Sequence, residues 1–165
     1  MKVYHGGICE IKHPDILHSK EALDFGRGFY VTSYRKQAER WARRKALRNQ
    51  ATAFLNIYDL EDDLSSFRVL KFTKIEANWL DFICACRRGA KIYQDYDIII
   101  GPVADDDVFQ AVNFYYRGIW TQEQTLKELA FAMPNDQIAI LSQTVLDFSL
   151  SFIQSVPMED NHEQA

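Results

Sequence analysis

The residues best suited to chemistry stand almost at the start of the chain, in Val3-Tyr4-His5-Gly6-Gly7. A second segment of the same character is Phe25-Gly26-Arg27-Gly28-Phe29-Tyr30-Val31-Thr32. Each sets a polar or aromatic side chain beside glycine at the border of a short apolar run. Glycine there admits close approach of another backbone or of a flat ligand. Two such segments suggest a pocket built on neighbouring strands. Taken singly they say less. A histidine at a strand end is more often just hydrogen-bonded, Tyr30 alone would be core, and Arg27 alone a solvated loop charge.

Two further places carry polar groups of interest. Asp105-Asp106-Asp107 precedes a helical pattern, where acids complement the helix dipole. Capping is the expectation for Asp105, and Asp106 stays open as a site acid. Gln137 opens a late apolar run, with Asp136 beside it. No metal site is expected, because the sequence sets no other ligand beside the aspartates. Cys84 and Cys86, two apart on a helix, face different directions and read as buried small hydrophobes. Gly26-Arg27-Gly28 precedes a strand rather than joining a strand to a helix, so a dinucleotide-binding or P-loop motif fails in its own context.

The elements that must position these groups follow from periodicity. Lys2–Tyr4 reads as a short strand ending at His5 and broken by Gly6-Gly7. Residues 28–32 form a second. Ser33 has N-cap chemistry, with Gln37 in the place of a loose capping box, for a helix from Tyr34 to near Arg48. Its apolar face is Ala38, Trp41, Ala42 and Ala46. Strands are expected at 53–60 and, after an acidic turn, at 67–72. A helix over 76–88 buries Trp79, Leu80 and Ile83 and stops at Gly89. Tyr96 to Gly101 does not alternate and reads as a central strand. A helix then runs to Arg117, Thr121 caps another to Ala130, and Gln137–Ser142 is a strand. Thr144–Leu146 makes a helical turn, and Phe148–Val156 a last alternating strand. The order is not a steady βαβα alternation and fits an α+β domain of mostly antiparallel strands.

Composition bounds the function. The 165 residues, 47% apolar and 13% aromatic, suit one folded domain over 1–157 with a polar, frayed tail at 158–165. A net charge of −4 gives no general attraction to nucleic acid. Positive charge is local, in Arg35, Lys36, Arg40, Arg43, Arg44, Lys45 and Arg48, and most of it reads as a solvated helix face. Three cysteines argue for a reducing compartment, so the chain is expected in the cytoplasm. No signal peptide is read at the start, and no apolar run approaches the roughly 20 residues of a membrane span.

Several separated motifs resemble the DUF3990 family and, more broadly, the ADP-ribosyltransferase superfamily. They are Tyr4-His5-Gly6, Asp24 to Thr32, Gln37-Ala38 with Trp41-Ala42, Trp79 to Ile83, Tyr96 to Asp106 and Asn135-Asp136-Gln137-Ile138. The resemblance implies an ADP-ribosyltransferase-like split β-sandwich with flanking helices. It also implies NAD as substrate. His5 would donate a hydrogen bond to a ribose hydroxyl, the backbone at Gly6 would hold the nicotinamide amide, and Tyr30 would stack on its ring. Arg27, flanked by Gly26 and Gly28, would meet the pyrophosphate. Gln137 stands where the superfamily usually has Glu. It can hydrogen-bond ribose but supplies no negative charge to an oxocarbenium-like transition state, a loss of about a hundredfold in rate. The implied activity is mono-ADP-ribosyl transfer to a protein or nucleic acid, as a toxin with an antitoxin partner. An NAD glycohydrolase and a non-catalytic NAD- or partner-binding module are the alternatives.

Overall fold

The computed structural model describes residues 1–104, 106–130, 132 and 135–159, without the side chains of Asp106 and Asp107. The capping role expected of Asp105, the site-acid role of the Asp106 side chain and the tail from residue 160 therefore lie outside the described residues, whereas Met158, expected to open that tail, ends the last strand, paired with Ala53 and packed on the alanine face of the helix over 35–49.

The chain is mixed α+β, with two sheets and five α-helices among the described residues. The first sheet has the order β1-β3-β7, from Lys2–Gly7, Ala53–Leu60 and Leu150–Met158, all antiparallel. The second has the order β2-β6-β5-β4, from Phe29–Val31, Gln137–Ile140, Ile98–Gly101 and Val69–Lys71. Its one parallel pair is β4 with β5. The apolar run of β5 does lie inside its sheet, as expected of a strand with both faces covered.

Alternation explains the layers. Val3, Tyr58, Leu60 and Phe152 of the first sheet pack against Phe29, Val31, Ile98, Ile138 and Ile140 of the second. The opposite face of the second sheet, with Tyr30, Ile99 and Ala139, packs on Trp79, Leu80, Ile83, Val108, Val112 and Leu129. Those residues come from α2 (Ala77–Arg87), α3 (Asp106–Tyr116) and α4 (Gln122–Leu129). The outer face of the first sheet is covered by α1 (Arg35–Asn49) through Ala38, Ala42 and Ala46. Among the described residues the two sheets join at one backbone bridge, where Tyr4 and Thr32 exchange both hydrogen bonds, at 2.9 and 3.0 Å.

Several expectations are corrected. Gly6 and Gly7 do not break β1 but complete it, paired with Leu55 and Phe54. The segment at 67–72 shortens to Val69–Lys71 and joins the second sheet, because its partner is β5 rather than β3. Ser33 does not cap α1; the N-cap is Tyr34, with no side-chain bond, since the Ser33 hydroxyl is held elsewhere. The helical turn near Thr144 grows into α5 (Gln143–Ser149), which takes Phe148 out of the last strand and leaves it 77% exposed. Thr121 caps α4 as expected, in a capping box with Gln124.

Candidate functional site at the sheet junction

His5 and Gly6 are consecutive in β1 and so project to opposite sides of the sheet. The His5 ring lies on the inter-sheet side, stacked on Phe29 with centroids 4.6 Å apart. Its Nδ1 is 2.7 Å from the Tyr30 carbonyl oxygen. A carbonyl only accepts, so Nδ1 carries the proton. Burial, and then the charge of Lys45, lower the His5 pKa to about 4, against the opposing pull of the Tyr30 carbonyl. The ring is therefore neutral near pH 7, and Nε2 is left as a lone-pair acceptor rather than the expected donor, because the single ring proton is held at Nδ1 by the Tyr30 carbonyl.

Gly6 faces α1. A methyl group there would overlap the Ala38 carbonyl oxygen and stand 2.6 Å from the Ala42 nitrogen. The close approach that a glycine allows is made here by a helix backbone. The Gly6 carbonyl accepts from Lys45 Nζ at 3.2 Å. Burial lowers the pKa of that amine, with the nearby Arg48 charge adding to it.

Tyr30 meets His5 through its carbonyl, while its ring packs on the helical side of the second sheet. The hydroxyl donates to the Gly26 carbonyl at 2.6 Å and accepts from the Phe25 nitrogen at 3.1 Å. Burial raises its pKa well above the ordinary value. The side chain thus closes the loop that precedes β2. Gly28 lets that strand pass Ile140, whose carbonyl oxygen would be 2.6 Å from an added methyl. Arg27 lies beyond it, bonded to the Ser19 carbonyl at 3.3 Å and 3.7 Å from Glu21. It lines a cleft of about 420 Å³ with Arg68, Lys91, Tyr93 and Asp97, a cleft that His5 does not line. His5, Gly6 and the Tyr30 backbone are thus brought together, whereas Arg27 is not.

The register puts Gln137 level with Thr32, one step beyond the Val31–Ile138 pair. It is 4% exposed, and its amide lies 3.5 Å from the Pro102 carbonyl, which also accepts from the Trp79 indole at 3.0 Å. Gln137 therefore sits at the junction with His5, but with its side chain on the helical side rather than against Phe29.

The sequence reading missed the role of Asp136. One carboxylate oxygen accepts from Thr32 Oγ1 and the Ser33 nitrogen, both at 2.8 Å, and the other from the Ser33 hydroxyl. Its carbonyl accepts from the Gln37 amide at 2.6 Å. Gln37 Oε1 is left buried with no hydrogen-bond partner among the described residues. Asp136 is thus a clamp that fixes the start of α1 to the start of β6. The polar Thr32-Ser33 pair after an apolar strand was the available signal. Trp41, expected in the helix's apolar face, is half-buried and lies outside the buried apolar clusters. No group of three histidine, cysteine or carboxylate side chains gathers as a metal site among the described residues. No helix among them is long and apolar enough to cross a membrane.

The model of a family of proteins of unknown function, DUF3990, matches residues 1–152. No curated protein and no solved structure matches the chain. The family match runs from β1 through α5 and takes in every group at the sheet junction, and the chain belongs to the DUF3990 family.

Proposed function

We propose that the chain is an NAD-dependent mono-ADP-ribosyltransferase with an ADP-ribosyltransferase-like fold, and that the sheet junction is its NAD site. The observation that carries this reading is His5. It is a neutral imidazole at the meeting of two sheets, oriented by the Tyr30 carbonyl, with Nε2 left to accept from a ribose hydroxyl. In the reaction the bond between nicotinamide nitrogen and ribose C1′ breaks, and nicotinamide leaves with the electron pair. The acceptor's nucleophile then bonds to C1′ and loses its proton. His5 orients the ribose, whereas Gln137, on the helical face of the second sheet, would meet its hydroxyls only after a shift of β6. Nicotinamide binding at the Gly6 carbonyl requires Lys45 to yield its hydrogen bond there. Tyr30 acts through its carbonyl, as a positioning residue for His5. A role as a cytoplasmic toxin held by an antitoxin protein belongs to the same proposal.

One observation favours a second reading. Gln137 is buried, uncharged and already turned to Pro102, which suits a non-catalytic module that binds NAD or a partner in the same place. Incubation with NAD labelled on the adenylate side, with cell lysate as acceptor source, separates the readings. Label transfer lost in His5→Ala supports the transferase. Nicotinamide release without label transfer makes it a glycohydrolase, and saturable NAD binding with neither leaves the binding module. Full activity in His5→Ala would overturn the assignment of the site.

A further inference from the structure

The strongest unexplained feature is the charge of α1. Its fifteen residues hold seven cations and one acid, a net of +6, so the remaining chain carries −10 within the total of −4. Arg35, Lys36, Arg40, Arg43, Arg44 and Arg48 are all exposed. The ion pair of Arg35 with Glu39, at 2.8 Å, offsets part of this. Arg40 and Arg44 have contacts of their own.

The helix has two flanks about the Ala38–Ala42 line that meets Gly6. Arg43 lies on the flank toward β7, where it bonds the Glu159 carbonyl at 3.3 Å. Gln37, Trp41, Arg44, Lys45 and Arg48 recur at one helical spacing and share the other flank. Two bonds fix where that flank lies: Gln37 reaches the Asp136 carbonyl at 2.6 Å, and Lys45 the Gly6 carbonyl at 3.2 Å. The flank therefore borders the junction that holds His5. An aromatic ring set among cations in this way suits a stacked base with phosphates on either side. The Trp41 indole N–H is part of no hydrogen bond among the described residues, so the ring is not committed to the core.

We infer that this flank of α1 binds single-stranded nucleic acid, with one base on Trp41 and a phosphate on Arg48, and presents it to the junction. The binding surface stands on the charge and on Trp41; that the strand is also the ADP-ribose acceptor rests on the transferase reading. An acidic protein would use the cations but has no need of the indole, which is why the nucleic acid is preferred.

The test titrates the full chain against fluorescent 20-nucleotide DNA and RNA strands, a duplex of the same sequence, and polyglutamate, at two salt concentrations. Expected are tighter binding of a single strand than of duplex or polyglutamate, quenching of tryptophan emission, and affinity that falls steeply with salt. Arg48→Ala should weaken binding and lower the salt slope by about 1. Trp41→Phe should retain most of the binding and Trp41→Ala lose at least tenfold, with circular dichroism checking the fold of each. Polyglutamate binding as tightly as the strands would make the surface a protein-docking one and overturn the inference. So would equal duplex binding or binding unaffected by Arg48→Ala. Binding without label transfer to the strand from NAD removes only its role as acceptor.

Discussion

The Nδ1 of His5 and the carbonyl oxygen of Tyr30 stand 2.7 Å apart, and this bond ties β1 to β2 beside the backbone bridge between the sheets. It makes the junction sensitive to acid. The folded-state pKa of about 4 lies below the ordinary 6.5, so the unfolded chain takes up the proton first. Stability from this group is fully present above pH 6.5 and falls as pH drops toward 4. The loss is at most about 3 kcal/mol. Urea midpoints measured between pH 7 and 4 should show this fall, and His5→Gln should flatten it.

Gly6 and Gly7 should respond very differently to the same change. A methyl at Gly6 overlaps the helix backbone, whereas at Gly7 its nearest neighbour is the Asn56 side chain at 3.5 Å. Gly6→Ala is expected to cost about 3 kcal/mol, because α1 must move. Gly7→Ala should cost well under that. Thermal unfolding of the two variants side by side checks it, and equal losses would refute the packing account.

Tyr30→Phe keeps the carbonyl that orients His5 and removes the hydroxyl that serves Phe25 and Gly26. Stability should drop by about 2 kcal/mol, since both backbone groups lose a partner. If the ring stacked on a substrate through its face alone, NAD affinity would be unchanged. As a positioning residue that acts through its retained carbonyl it should likewise leave the apparent KM and the pH profile unchanged, so a large rise in KM would mean that the hydroxyl itself meets the substrate.

Asp136→Ala removes three hydrogen bonds to one carboxylate at the start of α1. A loss of about 3 kcal/mol is expected, and Asp136→Asn should recover part of it. Hydrogen exchange should show Ser33 and the first turn of α1 opening first. Unchanged protection there would mean that the helix is held by its alanine face alone.

Gln137→Glu tests chemistry rather than packing. The new carboxylate would face the Pro102 carbonyl in a buried site, so its pKa should be raised and the fold somewhat weakened. If the junction cleaves NAD, nicotinamide release should rise by about a hundredfold, with the gain growing as the carboxyl ionises. No gain in a folded variant would detach Gln137 from the reaction.

The long periodic elements were legible because their own spacing states their buried face. β3, α2 and the inner strand β5 were of this kind. Pairing was less legible: β4 follows β3 in sequence, yet its parallel partner is β5, a choice made by distant apolar surface. Phe148 alternated with Leu150 and Phe152, and only the α5 turn, packed through Val145 and Leu146, removed it from the strand. At the site, the sequence marked the right segments but not the directions of their side chains. Gly6 read as a ligand's approach and proved to be a helix's. Tyr30 read as a stacking ring, yet its hydroxyl is spent on its own loop. Asp136 was passed over because a clamp is recognised only when both ends are seen.

The order β1-β3-β7 also governs when the protein takes shape. β3 is flanked by residues 2–7 on one side and by residues 150–158 on the other, and its longer pairing is with the late strand. β2 likewise waits for β6 at 137–140. Both sheets therefore need contacts between distant parts of the chain, which slows folding. His5, held between β1 and β2, is fixed only once β3 and β6 have paired with those strands. The junction is therefore a late product of folding, assembled from four strands drawn from both halves of the sequence.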